Sequence, residues 1–565
     1  MPSDPATNPQ TNAPTPPSPP SPLAGVNPPP PDAPPHRLEA QRRANRDQVS
    51  SELKLPVYGE RIDNLTSLAS AKARYDATAD KAYNDAVASA KAEAKAAGAG
   101  ANAASVIDSR PVVTVAGRVV LSRDNGKLVW LTLRDDTGDL QVACSQRDCD
   151  ERSFKLAKLT DLGDIVVASG PLMMTKTGEV TIWASSLTTA AKCLLTPPEK
   201  HAGLTDPELR YRQRYVDMWV NPETTQVFKL RSLIVSAVRE QMTRAGYIEV
   251  ETPMLQTLAG GAAARPFKTH MNALDISLFM RIAPELYLKR LLVGGLPKVF
   301  EINRNFRNEG VDKQHNPEFT MLEAYCAFGD VDTVMRLTED LIRSVAMAVS
   351  EQATTPPGTS TPRGTLPFGD LMIDYTAAFR RVSYAELFRG ALGFEMTDTP
   401  RVLSEAATRH IKTRTPAGQP ISTVLIVNEL FETFAEKTVD PGVPTFITGY
   451  PSAISPLTRP NAQNPEIADR ADLFIGGMEI APHYTELNDP DVQEAKFREQ
   501  LQGADEGKSA EEQTFRTFDA DFINALKVGM PPAGGMGLGI DRLIMLMTNQ
   551  RTIRDIVLFP LMKPE

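Results

Sequence analysis

VFEINRNFRNEGVDKQHNPEFTMLEAY, residues 299–325, is the stretch on which the reading of this chain turns. Its first arm alternates, so Glu301, Asn303, Asn305, Arg307 and Glu309 share one face of an extended strand, while Phe300, Ile302 and Phe306 share the other. After the loop GVDKQHNP the arm EFTMLEAY places Phe319, Met321, Glu323 and Tyr325 together by the same period of two. A strand with one polar face borders a wet site, and here an arginine, two carboxylates, a phenol and an aromatic ring line one floor. Taken alone, the segment is equally an antiparallel hairpin with solvated charges, so the flanking sequence has to decide.

Two further segments add chemistry. In DLFIGGMEI (472–480) the Gly476–Gly477 pair between apolar arms predicts a tight hairpin, with Asp472 and Glu479 as diagonal neighbours on one face. Two convergent carboxylates suit Mg²⁺, whose shell is completed by phosphate oxygens in nucleotide sites; a plain surface hairpin is the alternative. In AGGMGLGIDRLIMLMTN (533–549) a glycine-rich strand runs into an apolar helix with Arg542 near its start, where bare backbone and a helix N-terminus favour an anionic ligand.

The whole chain has 565 residues, enough for several domains, and 41% hydrophobic residues, enough for sizeable cores. No apolar run reaches the roughly 18 residues of a membrane span, and the start MPSDPATNPQ lacks the marks of a secretory signal. Cys144, Cys149, Cys193 and Cys326 are too few and scattered for a disulfide framework or zinc cage, which fits a reducing, cytoplasmic setting. The net charge of -9 means that any nucleic acid must meet a local basic patch.

Four regions follow. Residues 1–36 hold 15 of the 46 prolines and read as a disordered tail. Residues 37–110 read as a helix with a basic cluster (Arg42, Arg43, Arg46), open to solvent or to a phosphate backbone, followed by an exposed Ala-rich helical insertion. Residues 111–200 show short Val- and Leu-rich runs broken by turn signals, as in a five-stranded barrel. Residues 201–565 alternate amphipathic helices and strands, as in a large α+β domain, with a surface loop at 354–365.

FRNE at 306–309, GMGLGIDR at 535–542 and the helix-to-strand segment KLRSLIVSAVREQMTRAGYIEVETP at 229–253 resemble the three motifs of class II aminoacyl-tRNA synthetases, in the order of the IIb branch. RYRQRYVDM, GGAAARPFKTH, RIAPELYLKRLLVGG, TELNDP and TIRDIVLFP extend the similarity to bacterial-type lysyl-tRNA synthetases across 205–565, and 112–195 resembles that family's anticodon-binding OB-fold. The resemblance implies an α+β architecture, an OB-fold β-barrel followed by a class II antiparallel-sheet catalytic domain. It implies a homodimeric cytoplasmic ligase that joins L-lysine to tRNA(Lys) with ATP and Mg²⁺, free of any membrane.

Residue by residue, the resemblance assigns Arg307 to the α-phosphate and the amino-acid carboxylate, Glu309 and Asn316 to the nucleotide, and His315 to the outer phosphates. Phe319 and Arg542 would sandwich adenine, and Asp472 with Glu479 would carry Mg²⁺. Glu323, Tyr325 and Glu486 would take the lysine side chain and Glu285 its α-ammonium, with Gly260, Gly261 and Tyr484 beside them. Trp130 and Gln141, flanked by Arg123, would stack on and hydrogen-bond the anticodon uridines; a core tryptophan is the structural alternative at 130. The run Leu230, Leu233, Ile234, Ala237, Val238 would belong to the two-fold interface. The chain departs from the family at EIAPHYTELND, where Pro482 stands for an Asn that contacts lysine and His483 for a small residue. A catalytically weakened tRNA-binding paralogue and a protein-lysylating relative are therefore the competing readings.

Overall fold

The computed structural model describes residues 37–96, 106–196, 204–262, 264–352, 362–415, 418–502 and 518–564. The Pro-rich tail, the end of the Ala-rich segment at 97–104 and most of the 354–365 loop lie outside them. The chain divides into two compact units, one reaching to Val220 and taking in the last residues from Leu561, the other Asn221–Pro560. Among the described residues no helix is long and apolar enough to cross a membrane.

The first unit is built on β1 (Val112–Asp124), β2 (Leu128–Asp135), β3 (Gly138–Ser145), β4 (Ile165–Met174), β5 (Val180–Trp183) and β6 (Ser186–Ala191). Their order is β1-β2-β3-β5-β4-β6, with β1 also paired to β4. Five strands were expected and six are found, the last, Ser186–Ala191, pairing along β4. Alternation sorts the faces. Val129, Leu131 and Leu133 point into the core with Val113, Val115, Leu140 and Val142, and Trp130, Thr132 and Arg134 point away.

The segments before β1 complete this core rather than standing apart from it. Val49, Leu53, Leu68 and Ala71 join it. Arg42, expected on a solvated basic face, is buried and donates to the carbonyls of Leu162 and Cys193, both at 2.8 Å. Arg43 pairs with Glu39 and Arg46 with Asp47, so the cluster is largely spent inside the unit. The Ala-rich helix Ala77–Ala96 is anchored by Asp80, which accepts from the Met174 amide and the Tyr75 hydroxyl.

The second unit centres on an eight-stranded sheet. Its order is Arg380–Ser383, Thr445–Thr448, Arg470–Ile475, Met478–Thr485, Ala533–Gly539, Glu318–Ala327, Lys298–Phe306 and Ile248–Glu249. All pairings are antiparallel except the outermost at each edge. The helices Pro222–Arg244, Val331–Gln352 and Ile540–Met547 bury Ile234, Val238, Leu341, Val345, Leu543 and Leu546 against Phe300, Leu322, Leu473 and Leu538. One face of the sheet is thus sealed with apolar side chains, and the opposite face carries the polar set. The run expected at a two-fold interface is largely consumed here, because Ile234 and Val238 are fully buried in their own chain's core and Leu230 and Ala237 pack on it.

One carboxylate ties three elements together. Asp541, at the start of Ile540–Met547, accepts from the Thr320 amide at 2.8 Å and pairs with Arg231 of Pro222–Arg244 at 2.8 Å. This link locks the helix that carries Arg542 to the strand that carries Phe319.

Candidate functional site

The register of Lys298–Phe306 on Glu318–Ala327 sets Glu301 opposite Glu323, Asn303 opposite Met321 and Asn305 opposite Phe319. The shared polar face is therefore real, but it is not wet. Glu301, Asn303 and Asn305 are buried, and Arg281 claims Glu301 through a 2.6 Å contact. Buried Oδ1 atoms of Asn303 and Asn305 are left without hydrogen-bond partners.

Over three strands of the sheet a cleft of about 310 Å³ is lined by Arg307, Glu309, His315, Asn316, Phe319, Glu479, Pro482 and Arg542 among others. The Arg307 guanidinium lies 5.0 Å from the centre of the Phe319 ring, and its buried Nε has no hydrogen-bond partner. Burial pulls the Arg307 guanidinium below its usual value, against the pull of Glu309, Glu323 and Glu479. A desolvated cation with an open donor is poised for an anion. Arg542 is not stacked against Phe319. It donates to the Glu479 carbonyl at 2.7 Å and contacts His315 Nε2 at 3.0 Å, while His315 Nδ1 faces Asp312 at 2.8 Å. With arginine as donor, the imidazole must accept at Nε2 and donate at Nδ1, so this network assigns its tautomer.

The hairpin turn at Gly476–Gly477 has positive φ at both residues, 63° and 74°, the geometry that two-residue hairpins favour. Its carboxylates are not equivalent. Glu479 opens onto the cleft, and crowding by the protein, with Asp472 nearby, pushes its carboxyl up. Asp472 is only 2% exposed, and both its oxygens accept from Arg470, at 3.1 and 2.6 Å. Among the described residues no group of three or more His, Cys, Asp or Glu side chains could hold a metal ion. The pair therefore fits Mg²⁺ as one open carboxylate with a second held behind it, not as two converging ligands.

A second group lies along the same sheet face. Glu323 and Tyr325 are buried, the Tyr325 hydroxyl lies 3.4 Å from Glu323, and Tyr325 feels the charges of Glu285, Glu323 and Glu486. Burial, reinforced by Glu285 and opposed by Arg307, pushes the Glu323 carboxyl up to about 8. Glu486 does not stand beside Glu323 as an open ligand. It is paired with Lys289, a residue the sequence reading passed over, although the Glu-x-x-x-Lys spacing from Glu285 puts both on one helix face. The glycines make room for this group. A Cβ on Gly535 would meet Glu486 Oε1 at 1.9 Å, and one on Gly260 would meet Leu286 at 2.8 Å. Gly261, with φ of 87°, lies against Glu285.

In the first unit the register aligns Arg123 with Trp130, Trp130 with Ala143 and Ala143 with Trp183 across four strands. Trp130 is half-buried on the outward face, not in the core. Gln141, in the next row, takes the Thr181 hydroxyl on Oε1 at 2.9 Å, which fixes that end of its amide as the acceptor and the other as the donor.

The family described as tRNA synthetases class II (D, K and N) matches residues 206–563, and the OB-fold nucleic acid binding domain matches 113–190. The chain belongs to the class II tRNA synthetases. It is 45% identical over 466 residues to a lysine–tRNA ligase of Pelotomaculum thermopropionicum, covering 81% of this chain and 87% of that protein. A lysine–tRNA ligase of Escherichia coli K12 is 43% identical over 459 residues, covering 80% and 86%.

The departure in this class II chain sits on the Met478–Thr485 strand and splits between its faces. Pro482 turns to the cleft, opposite Asp472. His483 turns to the core, with Nε2 2.7 Å from the Thr338 hydroxyl and Nδ1 3.1 Å from the Ala471 carbonyl. Burial pulls His483 down to about 4, so the ring is neutral at pH 7. The ladder between Met478–Thr485 and Ala533–Gly539 spans only His483–Thr485. It stops at Pro482, which has no amide hydrogen to extend it.

Proposed function

We infer that this chain is an ATP-dependent lysine–tRNA ligase, which activates L-lysine as lysyl-adenylate and transfers it to the 3′ end of tRNA(Lys). The observation that carries the substrate is the trio Glu285, Glu323 and Glu486 gathered around Tyr325, in a chain 43% to 45% identical to lysine–tRNA ligases. A compact, strongly hydrated ammonium leaves water only for close carboxylates.

The substrate carboxylate is ionised at neutral pH, so its attack on the α-phosphorus of ATP, with pyrophosphate leaving, needs no protein base. What the protein supplies is alignment and neutralised charge. Arg307 would meet the α-phosphate and the amino-acid carboxylate. Glu309, Asn316 and Phe319 would place the nucleotide, and Arg542 would swing from His315 onto the adenine face. A magnesium ion on Glu479, with Asp472 behind it, would offset phosphate charge. Glu285 would take the α-ammonium, with Gly260 and Tyr484 beside it, and Glu323, Tyr325 and Glu486 would take the side chain. On the OB-fold, Arg123, Trp130 and Gln141 would receive the anticodon.

The enzyme would work as a cytoplasmic homodimer. Exposed Ile248, Met254, Leu255 and Leu258, which follow the Pro222–Arg244 helix beside the sheet's edge strand, are the apolar surface for the second copy. Pro482 in the cleft favours one other reading, a catalytically weakened tRNA-binding paralogue. Pyrophosphate exchange with each amino acid, with and without tRNA, separates the two. Exchange stimulated by lysine alone is expected, and its absence at saturating lysine overturns the ligase reading.

A further inference from the structure

Lys289 is 0% exposed, on the helix that opens with Glu285. Its Nζ lies 2.7 Å from Glu285 Oε1 and 2.5 Å from Glu486 Oε2. We propose that Lys289 is the internal counter-cation of the amino-acid pocket, a positioning residue that offsets the charge of Glu285 and Glu486 and holds Glu486 in place for a dicationic substrate. The proposal rests on the lysine reading above.

Three carboxylates crowd one pocket, Glu323 and Glu486 buried and Glu285 at its edge, and a free enzyme has no substrate ammonium to offset them. Lys289 fills that role permanently. Burial works against its own charge, yet Glu285 and Glu486 outweigh it and push the ammonium up. Once Glu323 gives up its proton to the incoming ammonium, the three carboxylates and Lys289 together carry two net negative charges, matching the two ammonium groups of lysine, while Arg307 is left for the carboxylate. The bridge is also geometric. Glu486 crosses the bare backbone of Gly535, its Oε2 within ion-pair distance of Lys289 while neither buried oxygen completes a hydrogen bond of good geometry. An ion pair serving the fold alone would need only the neighbour one helical turn away. Lys289 instead spans from the proposed α-ammonium ligand to a side-chain ligand on another element.

The test is lysine-dependent pyrophosphate exchange by the full-length chain. Lys289→Met should raise the lysine KM tenfold or more and leave the ATP KM within twofold. In the background of Glu486→Gln, which removes the partner, the same change should add less than threefold, because both act through one carboxylate. Lys289→Arg should restore the lysine KM to within about threefold. A lysine KM unchanged in Lys289→Met, or a parallel loss in lysine KM, ATP KM and kcat, overturns the proposal. Should Lys289→Met not fold, Lys289→Gln carries the same expectation, and if neither folds Lys289 is a stability element and the proposal is rejected. Wild type without lysine-dependent exchange refutes the lysine reading itself, whereas exchange beside an unaffected Lys289→Met refutes only the part given to Lys289.

Discussion

The amino-acid pocket and the outward face of the OB-fold are both built by strands of alternating pattern, yet they use their side chains in opposite environments. In the pocket Glu323, Tyr325, Glu486 and Lys289 are buried, and their protonation is governed first by burial and then by the charges packed beside them. On the OB-fold face Arg123 is exposed and Trp130 and Gln141 are half-buried, each within reach of solvent. Desolvated charge gives discrimination, because each unmatched group carries its full cost. A stacking platform gives affinity that tolerates change, because every base has a π face. The two regions should therefore respond very differently to the removal of one side chain.

The largest effect is expected in the pocket. Glu486→Gln removes one charge from a buried group and should cost about 2 to 5 kcal/mol in kcat/KM for lysine, read by pyrophosphate exchange. An unchanged kcat/KM would break the contrast at its strongest point.

Stability gives the second test, at the buried His483. Its folded value, about 4, lies below the unfolded value near 6.5, so the neutral ring is the stabilised form. Its contribution is complete above about 6.5 and drains as pH falls toward 4, by about 3 kcal/mol in all. Thermal midpoints measured from pH 7 to 4.5 should fall more steeply in wild type than in His483→Gln.

On the OB-fold face, Trp130→Ala should weaken charging of tRNA with a UUU anticodon by about 1 to 3 kcal/mol through the tRNA KM. Adenylate formation without tRNA should stay intact; equal loss in both assays would mark Trp130 as a folding residue. The smallest effect sharpens the description of the pocket. With Glu323 raised to about 8, the empty site holds a proton that must leave when an ammonium binds. Lysine affinity should improve as pH rises from 6.5 toward 8, by up to about tenfold per unit, and level off above. Titration calorimetry in buffers of different ionisation enthalpy should show proton release in wild type and none in Glu323→Gln.

The sequence made legible whatever depends on short periods. The polar face of residues 301–305 and the Gly476–Gly477 turn follow from alternation and turn chemistry, whereas the outward placement of Trp130 was left open against a core tryptophan until the fold decided it. Partners across long separations were not legible. Nothing near Arg231 announces Asp541, more than three hundred residues on. The polar face expected to be wet proved dry for the same reason, since Arg281, which claims Glu301, comes from a separate segment. Charge type could be read along the chain, but charge state depends on what the fold packs around it.

The break in pairing at Pro482 gives the sheet a slit. On one side of it, His483–Thr485 are laced to the glycine strand by main-chain hydrogen bonds; on the other the ladder stops, with the Pro482 ring 3.7 Å from where a Gly537 side chain would begin. Widening the sheet there breaks no ladder bond, because none is present. The cleft floor is in that sense a seam left unsewn, and a ligand pressing against it meets the compliance of side chains rather than the stiffness of a continuous β-sheet.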